Sequence, residues 1–239
     1  MTMHKLRSFY LSVLLLITPF GYAQQTLVFS GIEGSVNTDI SLQVLEEAYQ
    51  KLGITVEYRP LPGERALRTA DTGRVDGEVF RIANVEKRYT NLIPVPTAIN
   101  VLQGIAFSKV EQIPISGWES LKRYHLGIQI GIKFAERGTE GMQRTLVETN
   151  EQLFKMLDAE RVEVVIAAHA NGLKTLSDIE IDSVHALKPA IQEYQLYHYL
   201  HKRHASLVPK LDQVLQQMQQ SGRISAIRKQ ALLKLENGH

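Results

Sequence analysis

The chain reads as an α/β protein assembled from two units of similar grammar. Two observations lead there. Short β-branched runs alternate with helix-period segments in β-α-β-α-β order from Thr26 to Phe80, the pattern of a parallel sheet with right-handed crossovers. A second alternation of short strands and helices then runs from Trp118 past Asn171. There are no cysteines among the 239 residues, so packing must supply the stability of either one large domain or two lobes near 100 residues each.

The first strand is Thr26 to Ser30, ending at Gly31. The loop Gly31-Ile32-Glu33-Gly34-Ser35 follows, with Asn37, Thr38 and Asp39 as helix caps. Leu42, Leu45, Ala48, Tyr49 and Leu52 recur at helical spacing, and Gly53 stops that helix. Ile54 to Arg59 alternates as a strand, Pro60-Leu61-Pro62-Gly63 turns the chain, and a helix runs from about Glu64 to Thr72. Val75 to Phe80 is the third strand. Asn91 to Phe107 gives two extended apolar pieces whose prolines, Pro94 and Pro96, suit an edge.

In the second unit, strands are expected at His125–Ile130, Thr145–Glu148 and Val162–Ala168, with a helix over Phe134–Met142 and another capped by Asn150. Glu193 to Leu200 is an extended return, and two amphipathic helices close the chain, carrying Leu211, Leu215 and Met218 and then Ile224 and Ile227. The Tyr194, Tyr197, His198, Tyr199, His201, His204 cluster matches no zinc spacing and reads as strand and loop packing.

Residues 1–23 have a basic start, an apolar run from Ser8 to Phe20 and small residues ending at Ala23, the pattern of a secretory signal peptide cleaved before Gln24. The expected product is exported and periplasmic. Those residues hold Lys5 and Arg7 and no acid, so the 27 basic residues of the whole chain fall to 25 against 25 acidic ones. The basic excess belongs to the leader, which argues against nucleic acid as a partner. Cysteine catalysis and thiolate metal sites are excluded by composition, and no metal, cofactor or nucleophile–base pair is expected.

The stretch from Ala70 to Arg88 carries the site signal: a strand opening at its carboxyl end into a loop with two fixed cations, Arg81 and Arg88. Arg65, in the first turn of its helix, either reinforces an anion-binding helix end or pairs on the surface with Glu64 or Asp71. Glu33 lies in the loop after the first strand and suits a ligand ammonium or a balancing charge for Arg65 and Arg81. Glu78 is either an alternate-face residue or a buried partner of one of these arginines.

An ordered set of segments resembles the family 3 extracellular solute-binding proteins, receptors of polar amino-acid transporters. Gly73-Arg74-Val75-Asp76-Gly77 with Glu86-Lys87-Arg88 is similar to their GxxD…TxxR segment. Gln152 to Leu157 before Glu160-Arg161-Val162-Glu163 resembles their second helix leading to GRxD, Trp118 to Leu121 before Gly131 their LxGxxVGVxxGT, and residues 207–227 their terminal helix pair. The resemblance implies a two-lobed periplasmic binding protein-like fold of type II, with two parallel-rich sheets joined by a two-stranded hinge. Lobe 1 would be residues 24–102 and 199–239, lobe 2 residues 103–198, with ligand in the cleft between them.

The same resemblance places Arg88 where the family grips a ligand carboxylate with a bidentate guanidinium, a surface position in Glu86-Lys87-Arg88 being the alternative. Arg81 stands where the family has small hydroxyl residues, and Ala167-Ala168-His169 where an aspartate binds the α-ammonium; His169 is either a ligand contact or a packed or capping histidine. Ile132-Lys133 replaces paired hydroxyls. The expected ligand-binding set is Glu33, Arg65, Arg81, Arg88 and His169, for a small polar, carboxylate-bearing solute. The expected partners are that solute and an ABC transporter permease or membrane sensor, and the protein is expected to be a monomer without enzymatic activity. The alternatives are a dehydratase of prephenate or arogenate type, with Glu33 or His169 as acid, and a degenerate domain binding another protein.

Overall fold

The computed structural model describes residues 25–236; the leader expected over residues 1–23 lies outside the described residues. In chain order, β1 (Gln25–Ile32), α1 (Val36–Gln50), β2 (Ile54–Leu61), α2 (Gly63–Asp71) and β3 (Gly77–Ile82) build the first unit. β4 (Leu92–Pro94) and β5 (Asn100–Ser108) lead into β6 (Leu126–Gln129), α3 (Lys133–Gly138), β7 (Arg144–Val147), α4 (Asn150–Asp158), β8 (Val164–Ala168) and α5 (His169–Asp178). β9 (His185–Ala186), β10 (Gln192–His201), α6 (Val208–Gln220) and α7 (Arg223–Glu236) follow.

The strands form one hydrogen-bonded path, β2-β1-β3-β10-β5-β8-β6-β7. Its two ends are parallel, β2-β1-β3 and β8-β6-β7, as the helical crossovers require. The centre is antiparallel: β10 pairs β3 through Leu196–Leu200 and β5 through Gln192–Leu196, while β5 pairs β8 through Gly104–Phe107. β5 and β10 are therefore the two strands that run between the parallel ends.

Period-2 alternation sorts each strand's residues between cores on opposite faces. On β10, Leu196 and Leu200 join Phe29, Leu45, Tyr49, Leu211 and Leu215 beneath α1 and α6, while Tyr199 faces Leu67, Ala70 and Leu92 beneath α2. On β8, Val164 and Ile166 pack with Ile128 and Phe134, whereas Val165 and Ala167 pack with Phe107 and Phe154. A further cluster joins the units directly: Val36 and Ile40 of α1 and Leu232 of α7 meet Ala170 and Leu173 of α5.

Several boundaries differ from the sequence expectation, among them the N-cap of α1, which is Ser35 and not Asn37, Thr38 or Asp39, and the limits of β3, α4 and α3. The third strand begins at Gly77 because Asp76 is held in a junction before it. Its Oδ2 accepts from the Val28 N–H at 2.8 Å, and its Oδ1 faces Arg203 at 2.5 Å and His204 at 2.7 Å. Glycine is needed at position 77, where a Cβ would collide with the Tyr199 carbonyl across β3 and β10. The cap of α4 is Thr149, in a reciprocal capping box with Gln152, and Asn150 is the first helical residue. α3 ends at Gly138, short of Met142.

Candidate functional site

A cavity of about 410 Å³ opens where the parallel ends face each other. The first unit lines it from the β1–α1 loop (Ile32 to Ser35, and Asn37) and from Phe80 and Ile82 of β3. The second contributes Gln129 and Gly131–Phe134, Arg137 of α3, Asn150 of α4, Ala168 of β8 and Asn171 of α5, and the crossing strands add Leu102 and Tyr194. Ligands of open α/β sheets sit beyond the carboxyl ends of the strands, and β1, β3, β6 and β8 all point those ends here.

Local hydrogen bonds fix both rims. The Ile32 carbonyl accepts from the Thr38 hydroxyl at 2.9 Å and from the Tyr58 hydroxyl at 3.3 Å, and the Glu33 N–H donates to the Leu61 carbonyl at 3.1 Å. Glu33 itself is exposed at the cavity edge. Opposite, the Gly131 N–H donates to Glu136 Oε1 and Lys133 Nζ to Glu136 Oε2, each at 2.7 Å. The Lys133 hydrogen bond, followed by that of Gly131, holds the Glu136 carboxyl below its ordinary value. Arg137 Nε donates to the Lys133 carbonyl at 3.1 Å, leaving the rest of its guanidinium toward the cavity. Phe134 packs its ring 6.1 Å from Tyr194 and against Gly104, where a Cβ would come within 2.6 Å of that ring. The floor is thus aromatic, with a carboxylate on the first-unit rim and two cations on the second-unit rim.

Of the five residues singled out from sequence, only Glu33 lines this cavity. Arg81 has an 11 % exposed side chain, with Nη2 2.5 Å from Glu78 Oε1 and donating to the Gly63 carbonyl at 2.7 Å; Nε has no partner. Glu78 is the buried partner among its two open readings. The Ser30 hydroxyl donates to its Oε2 at 2.6 Å, while Oε1 meets Arg81 as a charge contact without hydrogen-bond alignment. Burial pushes the Glu78 carboxyl up to about 7 against the opposing pull of Arg81 and Ser30.

Arg88 has a 71 % exposed side chain, 3.2 Å from Glu64 and stacked 5.5 Å from the Tyr89 ring centroid. Arg65 is exposed on α2, beside a separate hollow shared with Arg59, Arg68 and Arg74. His169 opens α5 next to the cavity residue Ala168. Its Nδ1 is buried without a hydrogen-bond partner, and burial, then the charges of Arg228 and Lys188, lowers its pKa to about 4.

The sequence reading did not select Lys133, Arg137, Asn171 or Tyr194. A usable signal existed: the strand ending at Gln129, then Gly131, then a helix, places Lys133 and Arg137 one turn apart at a strand's carboxyl end.

The family model of the bacterial extracellular solute-binding proteins, family 3, matches residues 15–234. The chain belongs to that family. A relative of this family 3 member, an uncharacterised protein of Shewanella oneidensis, is 27 % identical over 202 residues, covering 81 % of this chain and 76 % of the relative. Among solved structures, a histidine kinase sensor domain with similarity to periplasmic binding proteins superposes with a TM-score of 0.65 at 18 % identity, covering 87 % of this chain and 97 % of the other. The substrate-binding protein AbpA of an amino-acid ABC transporter of Streptococcus pneumoniae, bound to L-arginine, gives 0.66 at 14 %, covering 88 % and 95 %. An ancestral arginine-binding protein bound to glutamine gives 0.63 at 18 %, covering 86 % and 96 %. The two-lobed periplasmic binding protein-like fold follows, in a family of solute-binding proteins.

Proposed function

We propose that this protein is a periplasmic receptor that captures a small polar, carboxylate-bearing solute between lobe 1 (24–102 and 199–239) and lobe 2 (103–198), without chemistry, and presents it to an ABC transporter permease or a membrane sensor. The observation that carries the reading is the cavity of about 410 Å³ lined from both lobes and both crossing strands. That volume suits an amino-acid-sized or somewhat larger solute. A molecule touching both rims binds the closed arrangement better than an open one, and that difference drives hinge closure.

The charges give the solute an orientation. Lys133 and Arg137 of lobe 2 take the carboxylate, and Glu33 of lobe 1 takes a cationic or hydrogen-bond-donating end, over an aromatic middle formed by Phe134 and Tyr194. This reverses the polarity that Arg88 and a lobe 2 aspartate imply in the amino-acid receptors. The test is thermal-shift screening of the purified protein with L-arginine, L-glutamine, L-glutamate, γ-aminobutyrate and dicarboxylates such as succinate, followed by calorimetry. Stabilisation by a carboxylate-bearing solute, lost in Lys133→Gln/Arg137→Gln, is the expected result. Stabilisation by none of these solutes, or stabilisation that survives unchanged in the double variant, overturns the reading.

A further inference from the structure

A second site lies on lobe 1, away from the cleft. Arg59 near the end of β2, Arg65 and Arg68 on α2 and Arg74 beyond it line a hollow of about 520 Å³, together with Thr69 and Thr72. β2 is the edge strand of the sheet, so the hollow is open on its outer side.

The local acids leave this cluster uncompensated. Glu64 already serves Arg68 at 3.3 Å, Arg88 at 3.2 Å and the Tyr89 hydroxyl at 2.7 Å. Asp71 Oδ1 is occupied by the Asn91 N–H at 2.9 Å. Among the described residues, Arg59, Arg65 and Arg74 have neither an ion pair nor a side-chain hydrogen bond, so three guanidinium forks around one hollow have no partner there.

Like charges gathered at one place repel, and an anion spanning them relieves that repulsion while accepting several charge-assisted hydrogen bonds. A single carboxylate offers two oxygens and engages one fork fully. A phosphate group offers three or more oxygens, and a linked pair of phosphates reaches forks set on separate elements. The hydroxyls of Thr69 and Thr72 donate into the α2 backbone, to the Arg65 and Arg68 carbonyls at 2.8 and 2.9 Å, so their oxygens turn no donor toward a carboxylate and leave recognition to the arginines.

We propose that this hollow binds a phosphate-bearing polyanion, either a free oligophosphate or the phosphate headgroups of an anionic lipid surface. Inorganic pyrophosphate and phosphatidylglycerol vesicles separate the two sources. Calorimetry at low salt should give pyrophosphate binding that Arg59→Gln/Arg65→Gln/Arg74→Gln weakens at least tenfold and that rising salt weakens in parallel. The variant should keep the far-UV spectrum and melting temperature, because all three side chains are exposed. Sedimentation with phosphatidylglycerol but not phosphatidylcholine vesicles, lost in the same variant, assigns the lipid source even if pyrophosphate does not bind. The proposal is overturned if neither probe binds the wild type, or if binding survives the triple variant. Tighter binding of poly-glutamate than of either phosphate probe overturns the phosphate assignment. The cleft variant Lys133→Gln/Arg137→Gln is a control that must leave pyrophosphate binding unchanged; loss there places the anion in the cleft and also overturns the proposal.

Discussion

Arg81 and Glu78 meet at 2.5 Å on one face of β3, although three positions apart on a regular strand would put them on opposite faces. The pairing with β10 explains it. Tyr197 faces Arg81 and Tyr199 faces Glu78, so Val79 and Phe80 together oppose the single residue His198. That extra residue is a β-bulge, which resets the alternation. Val79 and Phe80 both turn into the core beneath α1, and Arg81 swings back to Glu78. The same bulge brings the His198 ring to the Val79 carbonyl at 3.2 Å and the Tyr49 hydroxyl at 2.9 Å. One irregularity thus aims Ile82 at the cavity and withdraws Arg81 from it.

Breaking the Arg81–Glu78 pair should unfold, not merely unload, the protein. Glu78→Leu strands an arginine that cannot lose its charge, at about 3–5 kcal/mol. Arg81→Met should cost less, because the carboxyl left behind escapes by taking a proton, and the cost should shrink further at acid pH. Glu78→Leu/Arg81→Met should recover most of the loss. Urea unfolding of the four proteins decides; single variants within about 0.5 kcal/mol of wild type would show the pair to be idle.

The sequence made the parallel ends, both crossings and the terminal helices readable, because helical spacing and β-branched runs are local signals. Thr26–Ser30 lies within β1, and Glu193–Leu200 lies within β10. What stayed hidden was the β3 bulge, since an extra residue is set by the partner strand and leaves no mark on the pattern of Val79 and Phe80. Arg81 consequently read as a cleft cation. Arg88 read as a carboxylate grip from its place in a motif, whereas its side chain lies against Glu64, a contact between α2 and the loop after β3 that spacing does not reveal. The place of Glu33 beside the cavity was legible because its loop follows the carboxyl end of a strand.

His198 should make stability pH-dependent. It is fully buried, and burial lowers its pKa from 6.5 to about 4. The unfolded chain then binds the extra proton first, so this contribution is complete above about 6.5 and is lost as pH falls through about 4. The full window corresponds to about 3 kcal/mol. Glu78 acts oppositely: a folded value near 7 against 4.5 gives stability that is present at low pH and lost as pH rises through about 7. The two partly cancel in the wild type, so the test is a difference. Tyr49→Phe/His198→Leu should lose less stability between pH 7 and pH 4.5 than the wild type, measured by urea midpoints. An equal loss in both would remove His198 from the account.

The cleft cations should act on binding and leave the fold alone. Lys133 and Arg137 are exposed, and charge-assisted hydrogen bonds contribute about 1.5–3 kcal/mol each. Lys133→Gln/Arg137→Gln removes two such bonds and should therefore weaken a carboxylate-bearing solute by about 10²- to 10⁴-fold at an unchanged melting temperature. Glu33→Gln should weaken only solutes that also carry a cation. Calorimetry with one zwitterion and its deaminated acid separates these effects, and equal losses for both in Glu33→Gln would contradict the orientation proposed for the cleft.

The contact between the lobes should govern how readily the cleft opens. Val36, Ile40 and Leu232 bury themselves against Ala170 and Leu173, and the Val36 N–H donates to Asn171 Oδ1 at 3.1 Å beside the cavity. This cluster is distinct from the larger cores of the two units, so under the hinge closure proposed above its burial rewards the closed arrangement. Leu173→Ala removes several buried methyl and methylene groups from it. The apparent affinity for a solute falls by the fraction of molecules still able to close, although no side chain lining the cavity has changed. Small-angle scattering of Leu173→Ala without solute should show a larger radius of gyration than the wild type, and saturating solute should restore it. A radius unchanged in both conditions, with unchanged affinity, would assign the cluster to static packing.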